Sequence, residues 1–131
     1  MRLIRFTLIP IFFILLSLSG CTKNGKKFKV YFYSDIQNLN YPLSFVLDGQ
    51  RFDNLPNLHT TLSPTNDTLL NGAMYFTLKT GTHDLVAFDT LGNIKYSGTL
   101  KINSDSYYVS TTIGSQTTIM SGQNIFTVFR D

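Results

Sequence analysis

The sequence predicts an all-β chain folded as an antiparallel β-sandwich, and three observations carry that expectation. From Phe28 to the C-terminus apolar residues recur with a period of two, the signature of half-buried strands. Turn-forming Asp, Asn and Gly residues interrupt the alternation roughly every 8–12 residues, the spacing of a sandwich or barrel. All eight acidic residues are aspartate, which favours turns and caps, while glutamate, a helix former, is absent.

Each element follows from its own pattern. Phe28, Val30 and Phe32 share one strand face, with Lys29, Tyr31 and Tyr33 on the other. Leu43, Phe45 and Leu47 repeat the alternation, and Asp48-Gly49 is a tight turn leading into Gln50-Arg51-Phe52. Asn54 to Asn71, with Pro56 and Pro64, is the least regular stretch and reads as long loops around a short strand at His59 to Leu62. Met74, Phe76 and Leu78 alternate with Tyr75, Thr77 and Lys79 before a turn at Thr80-Gly81. His83 to Asp89 contains the continuous apolar run Leu85 to Phe88 of a central strand. Beyond the turn at Leu91-Gly92-Asn93, the residues Ile94, Tyr96, Leu100 and Ile102 face inward, and Gly98 among them marks a bulge or a close backbone approach. Strands at Tyr107 to Ile113, Gln116 to Met120 and Ile125 to Phe129 complete the chain, and no segment shows sustained helical periodicity.

The front of the chain has a different character. Arg2 and Arg5 precede an almost wholly apolar run, Phe6 to Leu18, followed by Ser19, Gly20 and Cys21, the only cysteine. As a helix that run reaches roughly 20 Å at about 1.5 Å per residue. This is short of a membrane span, and Pro10 weakens it further. Leu18-Ser19-Gly20-Cys21 resembles the lipobox of bacterial lipoproteins. The resemblance implies cleavage between Gly20 and Cys21 and acylation of the Cys21 thiol; an ordinary secretory signal with an incidental cysteine is the alternative. The implied division is a signal peptide at 1–20, a lipid-anchored linker at 21–27 and a β-sandwich at 28–131. Thr22 in place of Asp implies the outer membrane, facing the periplasm, with surface display left open.

Removal of Met1–Gly20 leaves 111 residues, one small domain. With Cys21 acylated no thiol remains, which excludes disulfides and thiol catalysis. The formal charge of +3 is concentrated at the front, because from Val30 onward five basic residues face eight Asp. Lys23, Lys26, Lys27 and Lys29 form a stretch that suits either anionic headgroups or a solvated linker. A mildly acidic, membrane-anchored body is a poor partner for nucleic acid.

Gly81-Thr82-His83-Asp84-Leu85-Val86-Ala87-Phe88-Asp89, continued through Gly92 to Leu100, resembles part of the PEGA-type immunoglobulin-like modules of bacterial envelope lipoproteins. The resemblance implies an immunoglobulin-like sandwich and assigns no functional residue.

Little in the sequence points to catalysis. His59 and His83 are the only imidazoles, and adjacent His83 and Asp84 face opposite sides of a strand. There is no zinc spacing and no GxSxG elbow, so no metal or cofactor is implied. Asp48, Asp53, Asp67, Asp89 and Asp105 read as turn residues rather than as paired catalytic carboxylates. Tyrosine is the more informative type. Tyr31, Tyr33, Tyr75 and Tyr108 lie opposite the apolar positions of their strands and form a candidate ligand face for glycan or protein, unless loops cover them. Asp67-Thr68-Leu69 and Asp89-Thr90-Leu91 resemble envelope O-glycosylation sites at Thr68 and Thr90, in expected loops. The expected function is a non-catalytic binding or interaction module. The alternatives are a structural or assembly subunit of an envelope complex and an accessory hydrolase.

Overall fold

A computed structural model describes residues 25–39 and 41–131. The export segment, the cleavage position Gly20 and Cys21 lie outside the described residues. Among the described residues, nine strands form two packed sheets, a β-sandwich as the alternation predicted. The first sheet has the order β4-β1-β9-β8 and the second β3-β2-β5-β6-β7. The strands are β1 (Lys27–Ser34), β2 (Leu43–Leu47), β3 (Gln50–Leu55), β4 (Met74–Lys79), β5 (Gly81–Phe88), β6 (Ile94–Ile102), β7 (Tyr107–Ile113), β8 (Ser115–Ser121) and β9 (Asn124–Arg130). β5 is the central strand of its sheet, as its apolar run predicted.

One pairing departs from the antiparallel rule. β1 and β9 run parallel, with Tyr31 opposite Phe126 and Ser34 opposite Phe129. Parallel neighbours need a long crossover, and here the whole intervening chain supplies it. Both strands therefore run from the end where Gly25 and Lys26 lead into the domain to the opposite, far end.

The turn chemistry works as read. Asp48 and Gly49 take φ of 49° and 81°, the two positive values of a type I′ hairpin between Leu47 and Gln50. At the β5–β6 connection the Asp89 carboxylate accepts the N–H groups of Leu91 and Asn93 at 2.9 and 2.8 Å. Gly98 sits at a register shift in the β6–β7 ladder, and a Cβ there would collide with the Tyr96 hydroxyl and the Ser110 carbonyl.

Between the sheets lies a core of Phe28, Val30, Phe32, Phe45, Leu85, Tyr96, Leu100, Ile125 and Phe129, all essentially inaccessible to water. A second apolar cluster forms on the outer face of the first sheet. Tyr31, Tyr33, Phe126 and Val128 are buried there against Leu58, Leu62, Leu69, Leu70 and Ala73. The covering strap is the segment 56–73, and it corrects two expectations. There is no strand at His59 to Leu62, and Asp67–Gly72 forms a helix, α1. Asn66 caps that helix by accepting the Thr68 N–H at 3.0 Å, and Asp67 places negative charge in its first turn. Six residues are too few for a stable helix alone; the fully buried Leu69 holds it down.

Candidate functional site

The expected tyrosine face does not exist as one surface. Tyr31 is 7% exposed and Tyr33 fully buried, because the strap covers the outer face on which the alternation correctly places them. Tyr75 and Tyr108 are exposed, but Tyr75 stands on the outer face of the first sheet and Tyr108 on that of the second. Thr90 is exposed in a turn as expected, whereas Thr68 is exposed on α1 rather than in a loop. Asp53 is a strand residue paired with Arg51 at 3.2 Å, not a turn residue, and Asp67 lies in α1. His83 is a structural clamp. Its Nδ1 lies 2.7 Å from Asp48 Oδ2 and its Nε2 2.7 Å from the Lys79 carbonyl, tying the β2–β3 hairpin to the end of β4.

The geometry instead gathers charge at the far end of the sandwich. Asp35 follows β1, Arg130 closes β9, and the parallel pairing of those strands brings them together. The Asp35 N–H donates to the Phe129 carbonyl at 2.9 Å, so the residue is fixed by its own backbone. Its carboxylate then lies 3.1 Å from His59 Nδ1 through one oxygen and 3.8 Å from Arg130 Nε through the other. His59 comes from the strap, which Asn57 pins down. The Asn57 side chain accepts the Ile36 N–H at 2.8 Å and donates to the carbonyls of Ile36 and Leu39 at 3.1 and 2.7 Å.

Two openings meet at His59. One, of about 530 Å³, is lined by Asp35, Gln37, His59, Thr60, Thr61, Leu62 and Arg130. The other, of about 520 Å³, is lined by Leu39, Tyr41, Pro42, Asn54, Pro56, Asn57 and His59. Beneath the first, the Tyr33 hydroxyl donates to the Thr60 carbonyl at 3.3 Å. Burial raises its pKa; the nearby Arg130 charge opposes that rise and Asp35 adds to it, so Tyr33 stays a neutral donor.

Asp35 orients His59 through Nδ1 and leaves Nε2 as a polar group on the rim of both openings. Among the described residues no hydroxyl bonds to that nitrogen, as the nucleophile of a Ser/His/Asp relay does. Nor do the described residues include a group of three or more metal-ligating side chains. The arrangement suits recognition: one opening has an apolar lining of Leu39, Tyr41 and the two prolines with Asn54, the other carries the Asp35 carboxylate and Arg130 guanidinium, and the His59 imidazole joins them.

Sequence reasoning missed this cluster because its members are 24 and 71 positions apart and share no motif. The available signal was faint. The apolar runs of β1 and β9 each end on a charged residue, Asp35 or Arg130, so any fold that paired them in parallel would bring the charges together. Compared with known proteins, the chain matches no family model, no curated protein and no solved structure. Fold and site together define a small β-sandwich with a charged, ligand-sized opening at one end.

Proposed function

We propose that this protein is a lipid-anchored envelope module that binds a polar ligand of the glycan class at the far end of its sandwich, without catalytic turnover. The observation that carries this reading is the Asp35–His59–Arg130 cluster at the junction of two openings, at the end opposite Gly25. An anchor at Cys21 would hold the N-terminal end at the membrane and present this cluster outward. Sugars combine an apolar C–H face, which suits Tyr41 and the prolines, with paired hydroxyls, which suit a carboxylate and a guanidinium. The test is a glycan array with the purified protein, followed by titration of any hit against His59→Ala and Arg130→Ala. Both substitutions should weaken binding about tenfold or more, as loss of a charge-assisted contact does, with little change in melting temperature. Absence of any hit, or binding untouched by both substitutions, would contradict the reading.

A second reading, an assembly subunit, has its own observation. Residues 106–129 contain no charged side chain, and β7 and β8 are the edge strands on one side of the two sheets. The opposite edges carry charges that discourage pairing, Arg51 and Asp53 on β3 and Lys79 on β4. On this reading a partner strand adds to β7. Ser110→Lys, at an exposed position on that strand, should then abolish a stoichiometric complex without unfolding the protein; a complex that survives it contradicts strand addition.

A further inference from the structure

We propose that the uncovered half of the first sheet's outer face rests on the anionic lipid surface that bears the anchor, an inference that builds on the anchored reading above. The strap covers only the far half of that face. Toward the N-terminal end the face carries Lys27, Lys29, Thr77, Lys79 and Tyr75, all exposed. β4, β1, β9 and β8 contain no acidic residue at all. Lys27 stands directly across the β1–β4 ladder from Lys79, so the two cations share one end of this face. The Lys29 ammonium lies 4.2 Å from the centre of the Tyr75 ring and 5.2 Å from that of Tyr31. The ion pairs formed among the described residues take in neither Lys27 nor Lys29. A cationic face of this kind is complementary to phosphate headgroups, and an amphipathic ring such as Tyr75 suits the water–lipid boundary.

The place of the patch selects the occupant. Six residue steps separate Cys21 from Lys27, at most about 20 Å at about 3.3–3.6 Å per step. A surface that holds Cys21 is thus within reach of Lys27 and Lys29. The carboxylates at the same end, Asp48, Asp84 and Asp105, are carried by the second sheet and its turns rather than by this face. The first sheet is polarised, with its lysine face at the N-terminal end and the Asp35–His59–Arg130 cluster at the other.

The experiment uses the full chain reconstituted in phosphatidylcholine vesicles, and in the same vesicles with roughly a third phosphatidylglycerol. Lysines are pulsed with an amine-acylating reagent and mapped by peptide mass spectrometry. Lys27, Lys29 and Lys79 should be protected about five-fold on the anionic vesicles, with Lys95 at the far end unchanged. The protection should vanish in molar salt, where the Debye length falls to about 3 Å. Equal labelling on both vesicles overturns the proposal and leaves an anionic macromolecule as the occupant to seek. Intact mass of the same sample separates the two readings. Acylated protein without lysine protection keeps the anchor and loses the patch, and protected lysines without acyl mass keep the patch and lose the anchor.

Discussion

Asp89 shows how much of this protein is decided by single short side chains. One carboxylate oxygen accepts the backbone N–H groups of Leu91 and Asn93, and the other accepts Asn93 Nδ2 at 3.1 Å. Burial alone would raise its pKa, but the Asn93 and Leu91 hydrogen bonds and the Lys95 charge outweigh it and hold the carboxyl below its ordinary 3.8. A depressed folded pKa stabilises the native state above the unfolded value and loses that contribution as pH falls through the folded one. Melting temperature should therefore drop in acid, beginning near the ordinary value of 3.8, more steeply for the natural chain than for Asp89→Asn. Parallel acid limbs in the two melting curves would show that Asp89 contributes nothing there. Asp48 works similarly, with one oxygen on the Asp84 N–H at 2.8 Å and the other on His83. These turn roles were legible from composition. Those of Asp53 and Asp67 were misread because the same residue type also serves at an exposed strand position and in the first turn of a helix.

At the scale of elements, the alternation located the strands and most of their faces, although Ile94, read as inward, is exposed at the start of β6. It could not say which faces an irregular segment would cover. Phe28, Val30 and Phe32 face the core as read, and Tyr31 and Tyr33 face the other way as read. Tyr33 is buried in a cluster with Leu58, Leu62 and Leu69, whose intervals of 4 and 7 suit a helix. Pro64 lies between them, however, and only Asp67–Gly72 is helical, so the spacing alone did not reveal a strap. The strap holds because Leu69 is fully buried and Asn57 and Asn66 satisfy otherwise open backbone groups. Leu69→Ala should destabilise by about 2–5 kcal/mol, the range for buried leucines. The neighbouring Thr68→Ala, at an exposed position, should stay within about 0.5 kcal/mol. Equal effects in denaturant titrations would mean that the strap is not packed as described. The far-end cluster was hidden for a related reason. His59 rides on the strap, and Asp35 and Arg130 meet only through the parallel β1–β9 pairing, a contact between the two ends of the domain that local sequence does not encode.

For the whole molecule, the directions of β1 and β9 define two unlike ends. Lys26 and Lys27 mark the end where the chain enters, and Asp35, His59 and Arg130 mark the other. On the proposed reading, orientation at a membrane, presentation of the far-end openings and contact of the lysine face with lipid would all follow from acylation of Cys21. The measurement that tests this most directly is the intact mass of the protein extracted from membranes, beside Cys21→Ser. The expected result is an N-terminus at Cys21 carrying acyl mass, and a Cys21→Ser chain that is uncleaved or released, since serine supplies no thiolate for a thioether. An unmodified Cys21, or normal processing and membrane retention of Cys21→Ser, would contradict the anchored, outward-facing module proposed for this chain.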